Sequence, residues 1–391
     1  MKICGIIAEY NPFHLGHALQ IDYVREKLGA EKIIVIMSGN FTQRGEPAIL
    51  DKFTRAKHAV KAGADMVIEL PTVFATANAE TFASGAINVL SSLNVLDGLC
   101  FGVESGDKIS FINLAKAMNN ESKEFKKALK THLDNGVSLA KAKFNAVKDL
   151  GDERFDPELV SSPNNVLGLE YVKALLKLNS QIDIFPLLRE GDHNDQTLKK
   201  GITSATSIRK AVEDGATKKT KKSLPTFVYE DLKEFPFAFD KMIMTSLIKS
   251  SVDELAELPD CTEGLENRIK ALSKDNHTVE ELVQKATTKR YTMTRIKRIL
   301  INNLLGIDRK LVYDSLTSPL YAKVLAVKES SKDLISLISS NSKIPVLTRK
   351  SDSTLLKKTA LSAFEKDVLA SDLYALATNK KQNEHQMIID K

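Results

Sequence analysis

Apolar runs alternate with amphipathic stretches along the first half of the chain. Five short runs rich in isoleucine and valine have the composition of strands buried on both faces: KICGIIAEY, KIIVIMSG, ADMVIELP, GLCFGVES and QIDIFPLL. The stretches between and after them have the period of helices: HALQIDYVREKLG, DKFTRAKHAVKAG, AETFASGAINVLSSL, SFINLAKAMNN and NVLGLEYVKALLKLN. This alternation predicts an α/β fold in which helices cover a parallel sheet and ligands bind beyond the carboxyl ends of the strands.

The pattern changes near Ser223 to Pro225. Helical periodicity dominates after this point, in KMIMTSLIKSS, EGLENRIKALS, TVEELVQKATT and TMTRIKRILINNLL, and only KIPVLTRK keeps the character of a strand. We therefore predict an α/β domain over residues 1–224 and a mainly α-helical domain over residues 225–391. The polar end of the chain, ATNKKQNEHQMIIDK, is expected to be loosely ordered.

Composition narrows the class of protein. Hydrophobic residues make up 43% of the chain and charged residues 27%, as in globular proteins, and no apolar run approaches the length of a membrane span. The three cysteines lie far apart, without a CxxC pair, which argues against a disulfide framework or a zinc site. A reducing compartment, the cytoplasm, is the expected location.

The net charge of +6 is modest, but its distribution is uneven. Basic residues crowd into Lys199 to Lys222 and again into Lys285 to Arg298. Such clusters are usually solvated helix faces, and they also suit a polyanion, because neutralising phosphates releases counterions.

The motif EYNPFHLGHALQ follows the first predicted strand and opens a helix. This order places His14 in the turn and His17 at the start of the helix, while Gly16 lets a ligand approach the backbone. A helix N-terminus favours a phosphate, and imidazoles beside it can donate hydrogen bonds to that phosphate. The motif thus predicts a nucleotide site. The alternatives are a turn histidine with a capping histidine, or zinc, which lacks a third ligand at useful spacing.

A second segment, ITSATSIRK, adds chemistry for phosphates. Ser204, Thr206 and Ser207 bring hydroxyls to a predicted helix start, and Arg209 adds a guanidinium that can grip phosphate oxygens. NPFHLGH resembles the HxGH signature of the nucleotidyltransferase superfamily, and ITSATSIRK resembles its ISSTxxR motif. The resemblance implies a Rossmann-like parallel sheet, the HxGH nucleotidyltransferase fold, followed here by the helical region.

Further segments resemble one bacterial family, the tRNA(Met) cytidine acetate ligases. They are SGNFTQRGEPAILDKFTRA, GADMVIELP, CFGVESGD, SPNNVLGLEYVKAL and TKRYTMTRIKRILIN. The resemblance implies an enzyme that activates acetate with ATP to acetyl-adenylate and pyrophosphate. It then acetylates the exocyclic amine of the wobble cytidine of elongator tRNA(Met). ATP, acetate and this tRNA are therefore the expected ligands, with Mg²⁺ carried on ATP rather than on a dedicated metal site.

The resemblance also implies which residues contact ATP. They are Ile7, Ala8, Glu9, Tyr10, Asn11, Pro12, Phe13, His14, Leu15, Gly16, His17, Ala18, Leu19, Gln20, Gly102, Asn164 or Asn165, and Arg189. To these we add Ser204, Thr206 and Ser207 of the second motif. We assign the catalytic roles to His14 and His17, at the α-phosphate, and to Arg209, at the leaving pyrophosphate.

The family usually has a sequence close to KRxGAGYHD after the fifth strand, where this chain has LREGDHNDQ. Arg189, Gly191 and Asp195 keep their places there, but the shape of the loop is open.

Three polar or charged residues and one basic helix have alternative interpretations. Gln43 and Arg44 either face acetate or cytidine, or belong to a hydrogen-bonded loop, and Glu69 either joins the site or caps the next helix. The helix TKRYTMTRIKRIL buries Ile296, Ile299 and Leu300, so its cations should point outward towards RNA phosphates. The predicted tRNA-binding residues are Arg290, Arg295, Lys297 and Arg298.

Two other functions share these motifs. A metabolite adenylyltransferase would use both phosphate motifs and ignore RNA, with the helical region serving only oligomerisation. A nucleotide-dependent RNA-binding module without catalysis is the third hypothesis, and the intact histidine pair and Arg209 argue against it.

Overall fold

The computed structural model describes residues 1–189, 204–232, 239–380 and 382–390. One sheet organises these residues. Its strands are β1 (Ile3–Ala8), β2 (Lys32–Ser38), β3 (Met66–Leu70), β4 (Gly98–Val103), β5 (Asp183–Leu188), β6 (Ala322–Lys328), β7 (Val346–Leu347) and β8 (Ile388–Asp390). The five strands predicted from the apolar runs are all present, as β1 to β5.

Helices surround the sheet. They are α1 (Leu15–Asp22), α2 (Lys52–Lys61), α3 (Thr72–Ala75), α4 (Ala79–Ser92), α5 (Lys108–Asn119), α6 (Lys123–Asp134), α7 (Leu139–Asp149), α8 (Pro163–Lys177), α9 (Ala205–Glu213), α10 (Thr226–Asp231), α11 (Phe239–Lys249), α12 (Val252–Ala256), α13 (Leu265–Asp275), α14 (Val279–Ala286), α15 (Met293–Leu305), α16 (Arg309–Thr317), α17 (Asp333–Asn341) and α18 (Thr359–Thr378). A π-helical turn (Tyr23–Lys27) extends α1, and 3₁₀ turns occur at Pro157–Val160, Thr217–Ser223, Glu329–Ser331 and Lys350–Leu355.

The order of the strands places a switch point between β1 and β4. The sheet runs β5-β4-β1-β2-β3-β6-β7, and β1 to β5 pair in parallel. The chain leaves β1 in one direction towards β2 and β3, and later returns to its other side at β4. The crevice outside the carboxyl ends of β1 and β4 is therefore where this topology places a ligand.

The two faces of the sheet are buried by different helices. One face packs side chains such as Ile34, Ile68 and Phe101 under α4, α5, α8 and the helices of the C-terminal half. The other face packs Ile6, Val35 and Val67 under α1, α2, α9 and α10. Burial on both faces explains why the strands have continuous apolar sequences rather than alternating ones.

The C-terminal half contributes three strands, of which β7 lies in KIPVLTRK, the segment given the character of a strand, while β6 and β8 were not predicted. β6 pairs antiparallel with β3, and both β7 and β8 pair with β6 in parallel. The expectation that the end of the chain is loosely ordered is wrong for residues 382–390, because β8 joins the sheet there. The division into domains at residue 225 remains a prediction, and the sheet itself takes strands from both sides of that position.

A buried ion-pair network joins these strands to α2 and to the end of the chain. Lys52 bonds Glu69 of β3 and Glu384, each at 2.7 Å, and Lys323 of β6 bonds the same two carboxylates. Burial favours the neutral carboxylic acid, but the two lysines outweigh it, so the pKa of Glu384 is lowered. Glu69 therefore does not cap α3, and it anchors the C-terminal segment to the sheet; its participation in the site stays a hypothesis.

Asp367 lies beside this network, and we expect its ionisation to make stability depend on pH. Burial first, and Glu69 second, raise its pKa from 3.8 to about 7. A raised folded-state pKa means that stability from this group is lost as the pH rises from 3.8 towards 7. Asp367→Asn can still accept from the N–H of Thr72 and meet the hydroxyl of Tyr321. We expect urea unfolding at pH 5 to 8 to show a smaller loss of stability with pH in the variant. A constant difference between the two proteins would contradict this assignment.

Candidate active site

His14 and His17 stand at the start of α1 with stacked rings, 3.7 Å between centroids. His14 is the N-cap, and its Nδ1 accepts a hydrogen bond from the N–H of Gly16 at 3.1 Å. Nδ1 of His17 accepts from the N–H of His14 at 3.2 Å. Because a backbone N–H only donates, both Nδ1 atoms are unprotonated, and a neutral ring then carries its proton on Nε2. The histidines therefore cap α1, as the capping interpretation predicts. The same hydrogen bonds hold both rings in the form that donates from Nε2.

The second motif meets the first at Arg209. Nη1 of Arg209 donates to the backbone oxygen of Asn11 at 2.8 Å, although 198 positions separate the two residues. Ser204 is the N-cap of α9 and accepts from the N–H of Ser207 at 3.2 Å, while Thr206 Oγ1 lies 3.4 Å from Nη2 of Arg209. The structure thus brings the two turns together at one edge of the sheet. Their roles towards phosphates remain predictions.

The electrostatics of Arg209 suit an anionic ligand. The residue is 8% exposed, and no described carboxylate lies within ion-pair distance of its guanidinium. Burial lowers its pKa, and the more distant Glu46 opposes that shift more strongly than any other group. A buried cation without a direct counter-charge is stabilised when a phosphate supplies one.

Gly102 and Arg189, both predicted ATP contacts, touch each other at the ends of β4 and β5. A Cβ at Gly102 would lie 3.1 Å from both Cγ and Cδ of Arg189, so the glycine makes room for the arginine stem. The N–H of Arg189 donates to the oxygen of Val103 at 2.9 Å. Burial lowers the pKa of Arg189, and Glu104 opposes this. The close approach of adenosine to Gly102 stays a prediction.

The two SPNN asparagines have different surroundings. Asn165 is fully buried, and its Oδ1 accepts from the N–H groups of Glu104 at 2.8 Å and Ser105 at 3.3 Å. Its Nδ2 donates to Ser105 Oγ at 2.8 Å, so it already fastens the loop after β4 to α8. Asn164 is half-buried, and the one partner of its side chain among the described residues is the Glu104 carboxylate, at 2.5 Å. Asn164 is therefore the better candidate for contact with ATP, and Glu104, which it bonds, is a further candidate that the sequence analysis did not single out.

We expect the two asparagines to separate binding from folding. Asn164→Ala should raise the KM for ATP by about tenfold, the cost of about one charge-assisted hydrogen bond, without changing the thermal midpoint. Asn165→Ala should lower the free energy of unfolding by about 2 kcal/mol, because it leaves buried N–H groups unpaired. Pyrophosphate exchange and thermal unfolding measure the two effects. A stable Asn165→Ala protein together with a normal KM for Asn164→Ala would refute this division.

The loop after β2, which we call the site loop (residues 39–47), connects the first motif with α15. The N–H of Gln43 donates to the Glu9 carboxylate at 2.8 Å. At its other end Glu46 bonds Lys297 of α15 at 2.5 Å, and the backbone of Gly45 rests directly on that helix. Proximity to Lys297 and Arg209 outweighs burial and lowers the pKa of Glu46. The backbone of Gln43 is thus part of a hydrogen-bonded loop. That the side chains of Gln43 and Arg44 contact acetate or cytidine stays a prediction.

Arg55 of α2 is a second residue that the sequence analysis missed. It is fully buried, and its guanidinium donates to the backbone oxygens of Leu50, Glu9, Ser38 and Gly39. These bonds tie the ends of β1 and β2 together. The available signal was an arginine on the buried face of an otherwise amphipathic helix.

The predicted tRNA-binding residues lie in and before α15, and all make contacts within the protein. Ile296, Ile299 and Leu300 form the buried stripe as predicted. The contacts are Arg290 with Glu263 at 2.6 Å, Arg295 with the oxygen of Asp260 at 2.8 Å, Lys297 with Glu46 at 2.5 Å, and Arg298 with Asp260 at 3.1 Å. The outward orientation expected for the cations holds only for Arg290, since the other side chains fold back on the protein. Their tRNA-binding role remains a prediction.

The rest of the first motif divides into core and surface. Tyr10 and Phe13 are fully buried and pack edge to face at 4.8 Å, so they shape the turn through the core. Tyr10 adopts a φ of 48°, in the left-handed region, where the chain reverses towards α1. Leu19 is 51% exposed on the outer side of α1, and Gln20 bonds the oxygen of Cys100 at 3.3 Å.

The divergent loop LREGDHNDQ falls, after Arg189, outside the described residues. Within the described ranges no cluster of three or more His, Cys, Asp or Glu residues could hold a metal ion. In the same ranges no helix combines the length and the apolar character needed to cross a membrane.

Comparison with known proteins identifies close relatives along the whole chain. The sequence model of the HIGH Nucleotidyl Transferase family matches residues 1–387. A tRNA(Met) cytidine acetate ligase of Clostridium perfringens is 38% identical over 96% of this chain and 95% of its own length. One from Thermoanaerobacter sp. is 38% identical over 96% of both chains.

Solved structures agree with the sequence comparison. The crystal structure of Thermotoga maritima TmcAL in its apo form superposes with a TM-score of 0.93 at 29% identity, covering all of both chains. The same protein bound with alpha-thio ATP superposes with a TM-score of 0.90 at 28% identity, again covering all of both chains. These likenesses confirm the predicted α/β fold with its mostly parallel sheet.

Proposed function

Because the chain belongs to the HIGH nucleotidyl transferase family and, within it, to the tRNA(Met) cytidine acetate ligases, we propose an activity for it. The proposed activity is acetylation of the wobble cytidine of elongator tRNA(Met). ATP and acetate are the co-substrates. The observation that carries the proposal is the hydrogen bond from Arg209 to Asn11, because it joins the two phosphate motifs into one site. A Thermotoga maritima relative of the same fold binds an ATP analogue.

In the first step an acetate oxygen attacks the α-phosphorus of ATP, and pyrophosphate leaves as the phosphorus–oxygen bond to the β-phosphate breaks. Negative charge builds on the α-phosphate oxygens, where the Nε2–H groups of His14 and His17 donate hydrogen bonds. Charge also builds on the leaving pyrophosphate. Arg209, with the hydroxyls of Ser204 and Thr206, stabilises it there. Positioning and charge stabilisation suffice, so no covalent enzyme intermediate is needed.

In the second step the exocyclic amine of cytidine attacks the acetyl carbonyl of acetyl-adenylate. The new carbon–nitrogen bond forms, AMP leaves with the carbon–oxygen electrons, and the amine loses a proton. The cytidine must leave its stack to reach the crevice beside β1, as bases generally do in enzymes that modify them. Mg²⁺ arrives with the phosphates of ATP. We place the reaction in the cytoplasm, where tRNA is found and where three buried, unpaired cysteines stay reduced.

One incubation tests the proposal. The protein is mixed with ATP, labelled acetate and bulk bacterial tRNA, and the RNA is digested to nucleosides. We expect label in N4-acetylcytidine, dependent on ATP and on tRNA(Met). Label that appears only in acetyl-adenylate, with every tRNA left unmodified, would overturn the choice of acceptor. In a parallel incubation with ATP labelled at its α-phosphate and with small-molecule acceptors but no RNA, a labelled dinucleotide would support a metabolite adenylyltransferase instead.

A further inference from the structure

The 3₁₀ turn Thr217–Ser223, which follows α9 closely, presents four lysines to solvent. Thr220 and Ser223 are buried and fix the turn, so the side chains between and before them point outward. The exposed lysines are Lys218, Lys219, Lys221 and Lys222. In the part of the chain that the structure describes, none of the four forms an ion pair with a carboxylate.

Aromatic rings lie beneath this charge. Lys221 Nζ stands 5.8 Å from the ring centre of Tyr229, and Lys61 Nζ of α2 stands 5.8 Å from that of Phe227. Both rings belong to α10 and are half-buried. We call the five residues Lys61, Lys218, Lys219, Lys221 and Lys222 the lysine patch. Cations interleaved with half-exposed rings are typical of surfaces that bind nucleic acids.

The lysine patch differs from α15 in whether its cations are paired with carboxylates among the described residues. The cations at α15 already hold Glu46, Asp260 and Glu263, so a phosphate binding there would have to break those pairs. A phosphate that binds the lysine patch displaces only water and counterions, which favours association. Of the two basic segments in the sequence, the one at Lys218 to Lys222 is therefore the one prepared for a polyanion.

We propose that the lysine patch is the surface that holds the phosphate backbone of the tRNA substrate. The proposal rests on the proposed function, because the RNA is the substrate named there. α9 begins beside the N-cap Ser204 and has nine residues, so its far end, which the turn follows, lies about 14 Å from the phosphate motif. An A-form RNA stem of about five base pairs covers this distance at about 2.8 Å per step. A stem on the patch can thus present a base from its loop to the crevice beside β1.

Paired neutral substitutions test the patch against an equal change elsewhere. Lys219→Gln with Lys222→Gln removes two charges from it. Lys126→Gln with Lys130→Gln removes two exposed, equally unpaired charges from α6. Binding of a fluorescent tRNA(Met) transcript is measured at several salt concentrations. We expect the patch variant to bind about tenfold more weakly, with a slope of log affinity against log salt smaller by about 1.4 to 1.8. The α6 variant should match the wild type.

Three results would overturn the proposal: unchanged binding in the patch variant, equal losses in both variants, or loss confined to the α6 variant. Thermal midpoints and ATP affinities show that each variant is folded. Failure of the proposed function has a different signature, since the wild-type protein would then leave tRNA(Met) unacetylated whatever its affinity. If the wild type acetylates tRNA and the patch variant binds it normally, only the patch is wrong.

Discussion

His17→Asn should slow acetate-dependent pyrophosphate exchange by about 10²- to 10³-fold while leaving the protein folded. The side-chain oxygen of asparagine falls near the place of Nδ1, so it can still accept from the N–H of His14, as His17 does at 3.2 Å. What the variant lacks is Nε2–H, the donor that we assign to the α-phosphate. The loss should appear in kcat rather than in the KM for ATP, because the charge that the donor stabilises develops only in the transition state.

His17→Gln is the matched control. The amide nitrogen of glutamine lies near the place of Nε2 of histidine and can donate there, but no glutamine atom that accepts a hydrogen bond lies at the place of Nδ1. We expect it to keep more of the exchange rate than His17→Asn and to lose more thermal stability, since the N–H of His14 loses its acceptor. The reverse ranking, a fast asparagine variant and a slow glutamine variant, would show that His17 serves α1 and not the reaction.

The sequence predicts the first half of the fold well because its signals are local. Five apolar runs became β1 to β5, and each helical pattern between them became a helix. The strand order, and with it the switch point at β1 and β4, comes from the structure, since the rules for parallel sheets only limit the possible orders. The contact between Arg209 and Asn11 is not local, but two motifs that are each predicted to bind phosphate were expected to meet.

Other parts were missed because their reasons lie in partners distant in sequence. The strand β6 has the sequence AKVLAVK between helical segments, and it pairs with β3, β7 and β8, which are all distant from it in sequence or unpredictable from it locally. The cations of α15 look free in sequence, since Glu46, Asp260 and Glu263 are far from them along the chain. Glu104 and Arg55 lie in segments that resemble the family, but neither was singled out, because the backbone groups around them come together only on folding.

Gly45→Ala should disable the site loop and lower the stability of the protein. Gly45 has a φ of 72°, which costs an L-residue about 1 to 2 kcal/mol. A Cβ there would also overlap the backbone nitrogen of Arg298 and the backbone carbon of Lys297. Neither backbone atom can swing aside as a side chain can, so overpacking adds about 1 to 3 kcal/mol. We expect urea unfolding to show a total loss of about 2 to 5 kcal/mol, with slower pyrophosphate exchange.

Gly29→Ala separates the cost of a side chain at positive φ from the cost of overlap with α15. Gly29 has a φ of 64°, close to that of Gly45, but no atom lies within 4 Å of the Cβ that it would gain. It should therefore lose only the conformational part, about 1 to 2 kcal/mol, and keep its exchange rate. The excess loss in Gly45→Ala then measures how tightly the site loop rests on α15. Equal losses and equal exchange rates in the two variants would mean that the loop is not held by the helix, and that Glu46 reaches Lys297 without setting the position of the site.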